Sequence, residues 1–245
     1  MKKVAVVIPT LNEENHIYDV LEGCSNIVSI IFVVDGLSHD MTPEIIRRFP
    51  GAELLLERTP GKGAALRKGL SAALASKPDY IVMLDGDGEK TPKDIPGMIE
   101  CLKKKNADMV VGFRKQKRSF KRSGFNFFAS WWIRIATGYD LRDCLSGFNV
   151  MRAESLKNMA LTSNHFEIET ELILESRRNI LRVIEYPLSP CAMSPTKLKR
   201  IHMREINRFF DLWVLEWIKS VECDLPIHKK LFLKLFCNIG LLLSS

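Results

Sequence analysis

Two aspartates separated by one glycine, Asp85 and Asp87, follow directly after an apolar run in the segment VMLDGDGEKTPKDIP. In extended backbone, side chains two residues apart project to the same side, so the two carboxylates can converge on one ligand. Carboxylates hold Mg²⁺ or Mn²⁺ when the phosphates of a bound substrate complete the coordination shell. Glu89, two residues further on, could supply a third oxygen. The segment therefore predicts a divalent-cation site for a nucleotide diphosphate, although a pattern this short also occurs in ordinary surface turns.

Cationic residues are concentrated in other parts of the chain. Lys62 stands between Gly61 and Gly63 in a turn that opens a helical pattern, where it could meet a phosphate or remain an exposed lysine. Residues 114–122 read RKQKRSFKR, a second basic group lies within residues 197–208, and the formal net charge is +7. Such groups suit phosphates, acidic lipid headgroups or nucleic acid, or they form a solvated face.

The elements that must position these residues are short β-branched runs that alternate with helical patterns. Continuous apolar strands separated by helices predict an α/β fold with a mostly parallel sheet flanked by helices on both faces. The predicted strands are Val4–Pro9, Ser29–Asp35, Ala52–Glu57, Asp79–Asp85 and Asp108–Phe113. Ligands of such sheets bind beyond the carboxyl ends of the strands, where Asp35 and Asp85 lie. Thr42 and Thr91, each followed by proline, are predicted helix N-caps.

The composition, 46% hydrophobic and 27% charged over 245 residues, is that of a globular protein and excludes the disulfide-stapled and disordered classes. The six cysteines form no CxxC pair and no cluster of zinc spacing, so we interpret them as reduced thiols. The amino terminus lacks the pattern of a signal peptide, and no apolar run reaches the roughly 20 residues that span a bilayer. These features predict a cytoplasmic protein whose membrane contact is at most peripheral.

The predicted domain division is one α/β domain over residues 1–200 and amphipathic helices over residues 201–245. Apolar residues recur at helical spacing within residues 203–221 and again within residues 227–243. The first of these helices is expected to pack on the domain. Lysines accompany the apolar face of the second, so it could lie along a membrane surface, pack on the domain or form a dimer.

Six motifs occur in order along the chain: VVIPTLNEEN, VVDGLSHDMT, GKGAALRKGL, LDGDGEKTP, VGFR and DCLSGFNVM. Together they resemble the inverting family 2 glycosyltransferases of the GT-A fold, and within them the branch that contains dolichol-phosphate mannosyltransferase. The resemblance runs from about Val4 to about Leu198. It implies an enzyme, a hexosyltransferase that uses a nucleotide-sugar donor, with Mg²⁺ or Mn²⁺ as its cofactor.

The resemblance also implies which residues contact the donor. Those expected to bind the nucleotide sugar are Pro9, Leu11, Glu13, Asp35, Lys62, Asp85, Gly86 and Asp87. Asp35 would contact the base or the ribose, although the chain has DGLS where the family usually has DDGS. Glu89 replaces a frequent glutamine beside the metal, which adds negative charge there.

On the acceptor side, the residues that the resemblance implies as catalytic are Asp143, Arg114, Arg122 and Lys197. The three cations would neutralise the departing diphosphate and hold an acceptor phosphate. Asp143 would act as a base for a hydroxyl acceptor or orient cations around a phosphate. Glu171 is interpreted as a structural or an acceptor-side residue, and Glu185 as part of the fold.

The favoured function is transfer of a hexose from GDP-mannose or a UDP-sugar to a polyprenyl or dolichyl phosphate at the cytoplasmic face of the membrane. The basic segments and the last helix favour such a lipid-linked acceptor. The same fold could use a saccharide or a small hydroxyl acceptor, or could bind a nucleotide sugar without turnover. A nucleic-acid-binding protein would suit the pI of about 9.1. The chain lacks zinc spacing, an RNP-like strand and a recognition helix, so no nucleic-acid partner is expected.

Overall fold

The computed structural model describes residues 2–114 and 120–190, which belong to one compact unit. The strands in this part of the chain are β1 (Val4–Thr10), β2 (Ile30–Asp35), β3 (Ala52–Leu56), β4 (Tyr80–Met83), β5 (Met109–Arg114), β6 (Asn149–Arg152) and β7 (Val183–Leu188). The helices are α1 (Ile17–Ser25), α2 (Thr42–Arg48), α3 (Lys62–Ala75), α4 (Ile95–Lys104), α5 (Phe120–Thr137), α6 (Ala153–Leu156) and α7 (Ile168–Arg178). A short 3₁₀ turn, Pro92–Asp94, leads into α4.

The strands form one seven-stranded sheet in the order β3-β2-β1-β4-β6-β5-β7. Every pairing is parallel except those of β6, which runs antiparallel to β4 and to β5. The predicted α/β fold with a mostly parallel sheet flanked by helices is therefore confirmed. Because β6 is reversed, it begins at the edge of the sheet where its neighbours end.

The central strands are apolar at successive positions because helices cover both faces of the sheet. Val6, Val7 and Ile8 of β1 are all fully buried, and they point alternately to opposite faces. Gly69 of α3 lies so close to Val7 that a Cβ there would overlap it, which fixes α3 tightly against one face. All five predicted strands are present, with ends that differ by one or two residues.

The two predicted caps have different outcomes. The Thr91 hydroxyl accepts a long hydrogen bond (3.4 Å) from the backbone N–H of Lys93, so it caps the 3₁₀ turn before α4 as predicted. The prediction for Thr42 is wrong, because Thr42 is the first residue of α2 and Met41 precedes it at the cap position. The Thr42 hydroxyl instead accepts a hydrogen bond of 2.9 Å from the backbone N–H of Glu13. The Thr42 hydroxyl oxygen therefore bonds to the loop that follows β1 and does not cap its own helix.

Three cysteines, Cys24, Cys101 and Cys144, are free thiols in the described ranges. Burial raises the pKa of Cys24 and of Cys144 to about 12, so neither forms a thiolate at neutral pH. In the same ranges no helix has the length and the apolar character needed to cross a membrane. The predicted helices within residues 201–245 lie outside the described residues.

Candidate active site

The loops that follow β1 and β2 are tied together at the carboxyl edge of the sheet. Asp35 ends β2 and is fully buried. Its carboxylate accepts hydrogen bonds from the backbone N–H of Ser38 (2.9 Å) and from the Ser38 hydroxyl (2.5 Å). Ser38 Oγ in turn accepts from the N–H of Asn12 at 2.8 Å, and Asn12 Oδ1 accepts from the N–H of His39 at 2.9 Å. Each loop therefore holds the other in place.

The predicted donor residues of β1 and its loop lie at this same edge. Pro9 is in register with Val34, one residue before the end of β2. Leu11 follows β1 and leaves 54% of its surface exposed, although it is apolar. The backbone of Glu13 bonds to Thr42 and to the start of α1. The structure thus brings Pro9, Leu11, Glu13 and Asp35 to one edge of the sheet.

The DGD segment leaves β4 beside them, and Asp85 is the centre of a buried ionic cluster. Lys62 Nζ lies 2.5 Å from Asp85 Oδ1, and Lys90 Nζ lies 2.8 Å from Asp85 Oδ2. Lys62 Nζ also forms an ion pair with Glu169 at the start of α7. Two lysines therefore neutralise one aspartate, and Lys62 links that aspartate to a second carboxylate.

Burial and charge act in opposite directions within this cluster. Burial alone would raise the pKa of Asp85, but the positive charges of Lys62 and Lys90 hold it well below its usual range. For Lys62, burial works to lower the pKa, and the charges of Asp85 and Glu169 outweigh it and raise the pKa. Burial also raises the pKa of Glu169, against the attraction of Lys62. Asp85 and Lys62 are consequently both charged at neutral pH.

Glycines allow three segments to meet at this cluster. A Cβ on Gly147, in the SGF motif before β6, would overlap the Asp85 carboxylate and Lys62 Nζ. A Cβ on Gly61 or Gly63 would overlap the backbone of residues 163–165. Gly61 also has a φ of 124°, which favours glycine. The segment before β6 and the segment before α7 can therefore approach the DGD loop only where these side chains are absent.

Asp87 and Glu89 have other partners than Asp85 does. Asp87 Oδ1 accepts a hydrogen bond of 3.1 Å from the backbone N–H of Glu89, and Arg114 Nη2 lies 2.8 Å from Glu89 Oε2. Within residues 2–114 and 120–190, no three acidic, histidine or cysteine side chains are grouped closely enough to form a metal site by themselves. The three predicted metal-binding carboxylates thus lie on one loop, where cations neutralise Asp85 and Glu89.

The loop that carries Asp143 is fixed by β7. Glu185 accepts hydrogen bonds from the backbone N–H of Arg142, at 2.5 Å, and of Asp143. Burial raises the pKa of Glu185, and these N–H groups and the charge of Arg142 act against that effect. Glu185 therefore shapes the loop that precedes β6, as expected for a residue of the fold.

Comparison with known proteins agrees with this geometry. The family model described as "Glycosyl transferase family 2" matches residues 5–158. The chain belongs to family 2 of the glycosyltransferases. It is 26% identical over 264 aligned positions to the dolichol-phosphate mannosyltransferase of Pyrococcus furiosus, covering 98% of this chain and 74% of that protein. It is 30% identical over 174 positions to the dodecaprenyl-phosphate galacturonate synthase of Rhizobium johnstonii, covering 65% of this chain and 50% of that protein.

A solved structure shows the same fold. The crystal structure of glucosyl-3-phosphoglycerate synthase from Mycobacterium tuberculosis, in complex with Mn²⁺, UDP and glucosyl-3-phosphoglycerate, superposes with a TM-score of 0.69 at 22% identity. It covers 89% of this chain and 79% of that chain. The GT-A fold implied by the motifs is thereby confirmed. The family match and the relatives confirm that the chain is a glycosyltransferase.

Two residues of the glycosyltransferase's buried cluster had no predicted role. Lys90 is separated from the DGDG turn only by Glu89, and a lysine so close to a strand end is the available signal for it. Glu169 had no such signal, because 107 residues separate it from Lys62. Glu171 is structural: its carboxylate accepts hydrogen bonds from Thr162 and Ser163.

Two predicted catalytic residues of the glycosyltransferase cannot be placed at the site. Arg122 belongs to α5, but its side chain is outside the described part of the structure. Lys197 lies outside the described residues altogether. Among the predicted cations, Lys62 and Arg114 are the ones whose contacts at this edge of the sheet are described.

Proposed function

We propose that this glycosyltransferase transfers a hexose from a nucleotide sugar to the phosphate of a polyprenyl phosphate. The observation that carries the proposal is the ionic cluster in which Lys62 and Lys90 hold Asp85 of the DGD loop. This cluster lies at the edge of the sheet where ligands of α/β folds bind. The names of the two relatives, which both refer to polyprenyl-phosphate sugars, support this class of acceptor. The donor is GDP-mannose or a UDP-sugar.

The nucleoside would bind where the loops after β1 and β2 are tied together. Pro9, Leu11 and Glu13 would line its pocket, and the exposed side chain of Leu11 offers an apolar surface for a base. Asp35 would contact the base or the ribose from the end of β2. Because Asp35 is fully buried and both of its carboxylate oxygens accept hydrogen bonds from Ser38, this contact would require the Ser38 loop to move.

The residues of the DGD loop fit a divalent cation that is completed by phosphate oxygens. Mg²⁺ and Mn²⁺ are commonly held by one or two carboxylates together with the phosphates of a nucleotide. Asp87 would be one ligand, and its Oδ1 accepts a hydrogen bond from the backbone N–H of Glu89. Asp85 and Glu89 lie on the same loop as further oxygen donors. When bound, the ion would stabilise the negative charge of the departing diphosphate.

Transfer would form a bond between an acceptor phosphate oxygen and the anomeric carbon while the bond from that carbon to the diphosphate breaks. The electron pair of the broken bond leaves with the diphosphate. Because the phosphate oxygen would attack the anomeric carbon from the face opposite to the leaving group, the configuration inverts. A phosphate monoester with a second pKa near ~6 is already largely ionised at neutral pH and needs no base. Asp143 would therefore orient cations on the acceptor side, and Arg114, Arg122 and Lys197 would stabilise the phosphates.

A polyprenyl acceptor places the reaction at a membrane surface. We propose peripheral association at the cytoplasmic face, through the basic segments and the predicted last helix within residues 227–243. This segment combines lysines with an apolar face, which is typical of helices that lie in the interface of a bilayer. No nucleic-acid partner is part of this function.

The deciding experiment is a matrix of donors and acceptors. Purified protein is incubated with UDP-glucose, UDP-N-acetylglucosamine, UDP-galactose or GDP-mannose, with Mg²⁺ or Mn²⁺, and with a short-chain polyprenyl phosphate. Parallel reactions contain the neutral polyprenol or a free saccharide as the acceptor. We expect one donor to give a sugar-phosphate-polyprenol product and the neutral alcohol to give none. Transfer to the saccharide in place of the phosphate would contradict the proposal.

A further inference from the structure

Arg142 is an exposed arginine whose side chain lies near an aromatic ring and a carboxylate. It precedes Asp143 in the loop before β6, and 75% of its side chain is exposed. Its guanidinium carbon lies 4.7 Å from the centroid of the Phe113 ring, near the carboxyl end of β5. An arginine that stacks on an aromatic ring keeps its N–H donors directed outward in the plane of the guanidinium. Arg142 therefore combines an exposed side chain with a cation–π contact to Phe113.

Glu185 restrains the same residue from another side. Its carboxylate accepts a hydrogen bond of 2.5 Å from the backbone N–H of Arg142, and Glu185 Oε2 lies 3.8 Å from Arg142 Nε. The second separation is longer than a hydrogen bond, so it adds attraction without the geometry of a direct bond. A hydrogen bond thus fixes the backbone of Arg142. Its side chain is attracted by the Phe113 ring and by the charge of Glu185.

The loop that carries Arg142 ends at the candidate active site. Five residues later, Gly147 lies against the Asp85 carboxylate and Lys62 Nζ. Phe113 is the second-last residue of β5, so the ring that Arg142 contacts lies near the edge of the sheet where the DGD loop begins. Arg142 consequently stands on the segment that leads to the buried cluster.

We propose that Arg142 binds the phosphate group of the acceptor, and that Phe113 and Glu185 are positioning residues that hold its guanidinium in a binding orientation. The inference rests on the proposed function, because it requires a phosphorylated acceptor. Arginine suits this task better than lysine, since its planar fork can donate two hydrogen bonds to one phosphate.

The test compares Arg142→Gln and Arg142→Lys with the wild type, and uses Arg134→Gln as a matched control. Arg134 is another exposed arginine, on α5, and pairs with Asp140 at 3.4 Å. For each protein we would measure the KM for a short-chain polyprenyl phosphate, the affinity for that lipid by calorimetry without donor, and the affinity for the donor nucleotide. Arg142→Gln should raise the acceptor KM and weaken lipid binding by about 10- to 100-fold, as for a lost charge-assisted contact.

The nucleotide affinity and the melting temperature should stay close to the wild-type values in Arg142→Gln, and Arg134→Gln should change neither acceptor measurement. Arg142→Lys should recover part of the loss, since it restores the charge without the fork. An unchanged acceptor KM and lipid affinity in Arg142→Gln would overturn the inference, as would an equal loss of nucleotide affinity. If the wild type neither binds nor glycosylates any polyprenyl phosphate, the proposed function itself fails, which is a separate result.

Discussion

The ammonium group of Lys90 lies 2.8 Å from Asp85 Oδ2, and the two side chains are only 5% and 18% exposed. Lys62 reaches the other oxygen of the same carboxylate from the first turn of α3. The first aspartate of the DGD segment is thus held in place by two cations, which reach it from α3 and from the loop after β4.

We expect Lys90→Met to destabilise the protein by about 2 kcal/mol, because it removes a charge-assisted hydrogen bond to the Asp85 carboxylate, which keeps Lys62 as its other partner. Urea unfolding at neutral pH measures this change. Lys104→Met is the matched control: Lys104 pairs with Glu100 at 2.8 Å, but the side chains are 75% and 63% exposed. An exposed pair contributes less than about 1 kcal/mol. Equal effects of the two substitutions would show that Lys90 contributes no more than a surface lysine.

Gly147→Ala should reduce transfer by about 100-fold, because a methyl group there must displace the Asp85 carboxylate or Lys62, and small displacements of catalytic groups have effects of this size. The measurement is kcat/KM for the donor. Gly97→Ala is a useful comparison, since its new methyl group would press on the Tyr186 hydroxyl, between α4 and β7. It should change the melting temperature and leave kcat/KM near the wild-type value. Comparable activity losses in both variants would point to general misfolding.

Glu185→Gln should change how stability depends on pH. Burial raises the folded-state pKa of Glu185, so ionisation of this group opposes folding. The cost is absent below the unfolded-state pKa of about 4.3, grows as the pH rises from there to the folded-state pKa, and is constant above it. Glutamine carries no such cost. The unfolding free energy of the wild type minus that of the variant should therefore decrease as the pH rises through this window.

The check on Glu185 is a series of urea titrations of both proteins between acid and neutral pH. Using the difference between the two proteins removes the contributions of all other titrating groups that the substitution leaves unchanged. A difference that increases with pH would mean that the charged form is favoured in the folded state, contrary to the expected effect of burial.

Asp87→Ala should lower transfer by about three decades and leave the fold intact, because a bound metal contributes several kcal/mol at ~1.36 kcal/mol per decade. The variant should also lose the binding of Mn²⁺ in the presence of the nucleotide, which electron paramagnetic resonance can follow without turnover. Asp140→Ala, at an aspartate whose side chain is 80% exposed, is the control. Near-normal activity of the wild type in excess chelator would contradict a metal requirement.

Periodicity predicted the sheet well because its strands are buried on both faces and therefore apolar at consecutive positions. The five predicted strands and the edge that holds Asp35 and Asp85 needed only this local signal. The reversed strand β6 has four residues, which is too short a pattern to assign without its neighbours. The predicted cap at Thr42 is wrong because the Thr42 hydroxyl accepts a hydrogen bond from the backbone N–H of Glu13, a residue distant in sequence.

The ionic cluster is not predicted by the sequence. The two-residue spacing of Asp85 and Asp87 predicts a metal site, and the glycines that flank Lys62 suggest a phosphate contact or an exposed lysine, whereas the structure pairs Lys62 with Asp85. The pairing of Lys62 with Glu169 depends on how α3 and α7 are brought together, and no local pattern contains that information. Arg142 stayed without a role for the same reason, since its environment comes from Phe113 on β5 and Glu185 on β7.

The reversal of β6 has a consequence for how such an enzyme can diversify. In a fully parallel sheet, the residues that enter a strand lie at the edge opposite the ligand. Here the residues that enter β6, Asp143–Phe148, lie at the same edge as the loops that leave β1, β2 and β4. Changes of length or sequence before β6 can therefore reshape this side of the candidate site without shifting β2 or β4. Under the proposed function, acceptor preference can vary at positions of this segment other than Gly147, whose contact with Asp85 and Lys62 ties it to the donor side.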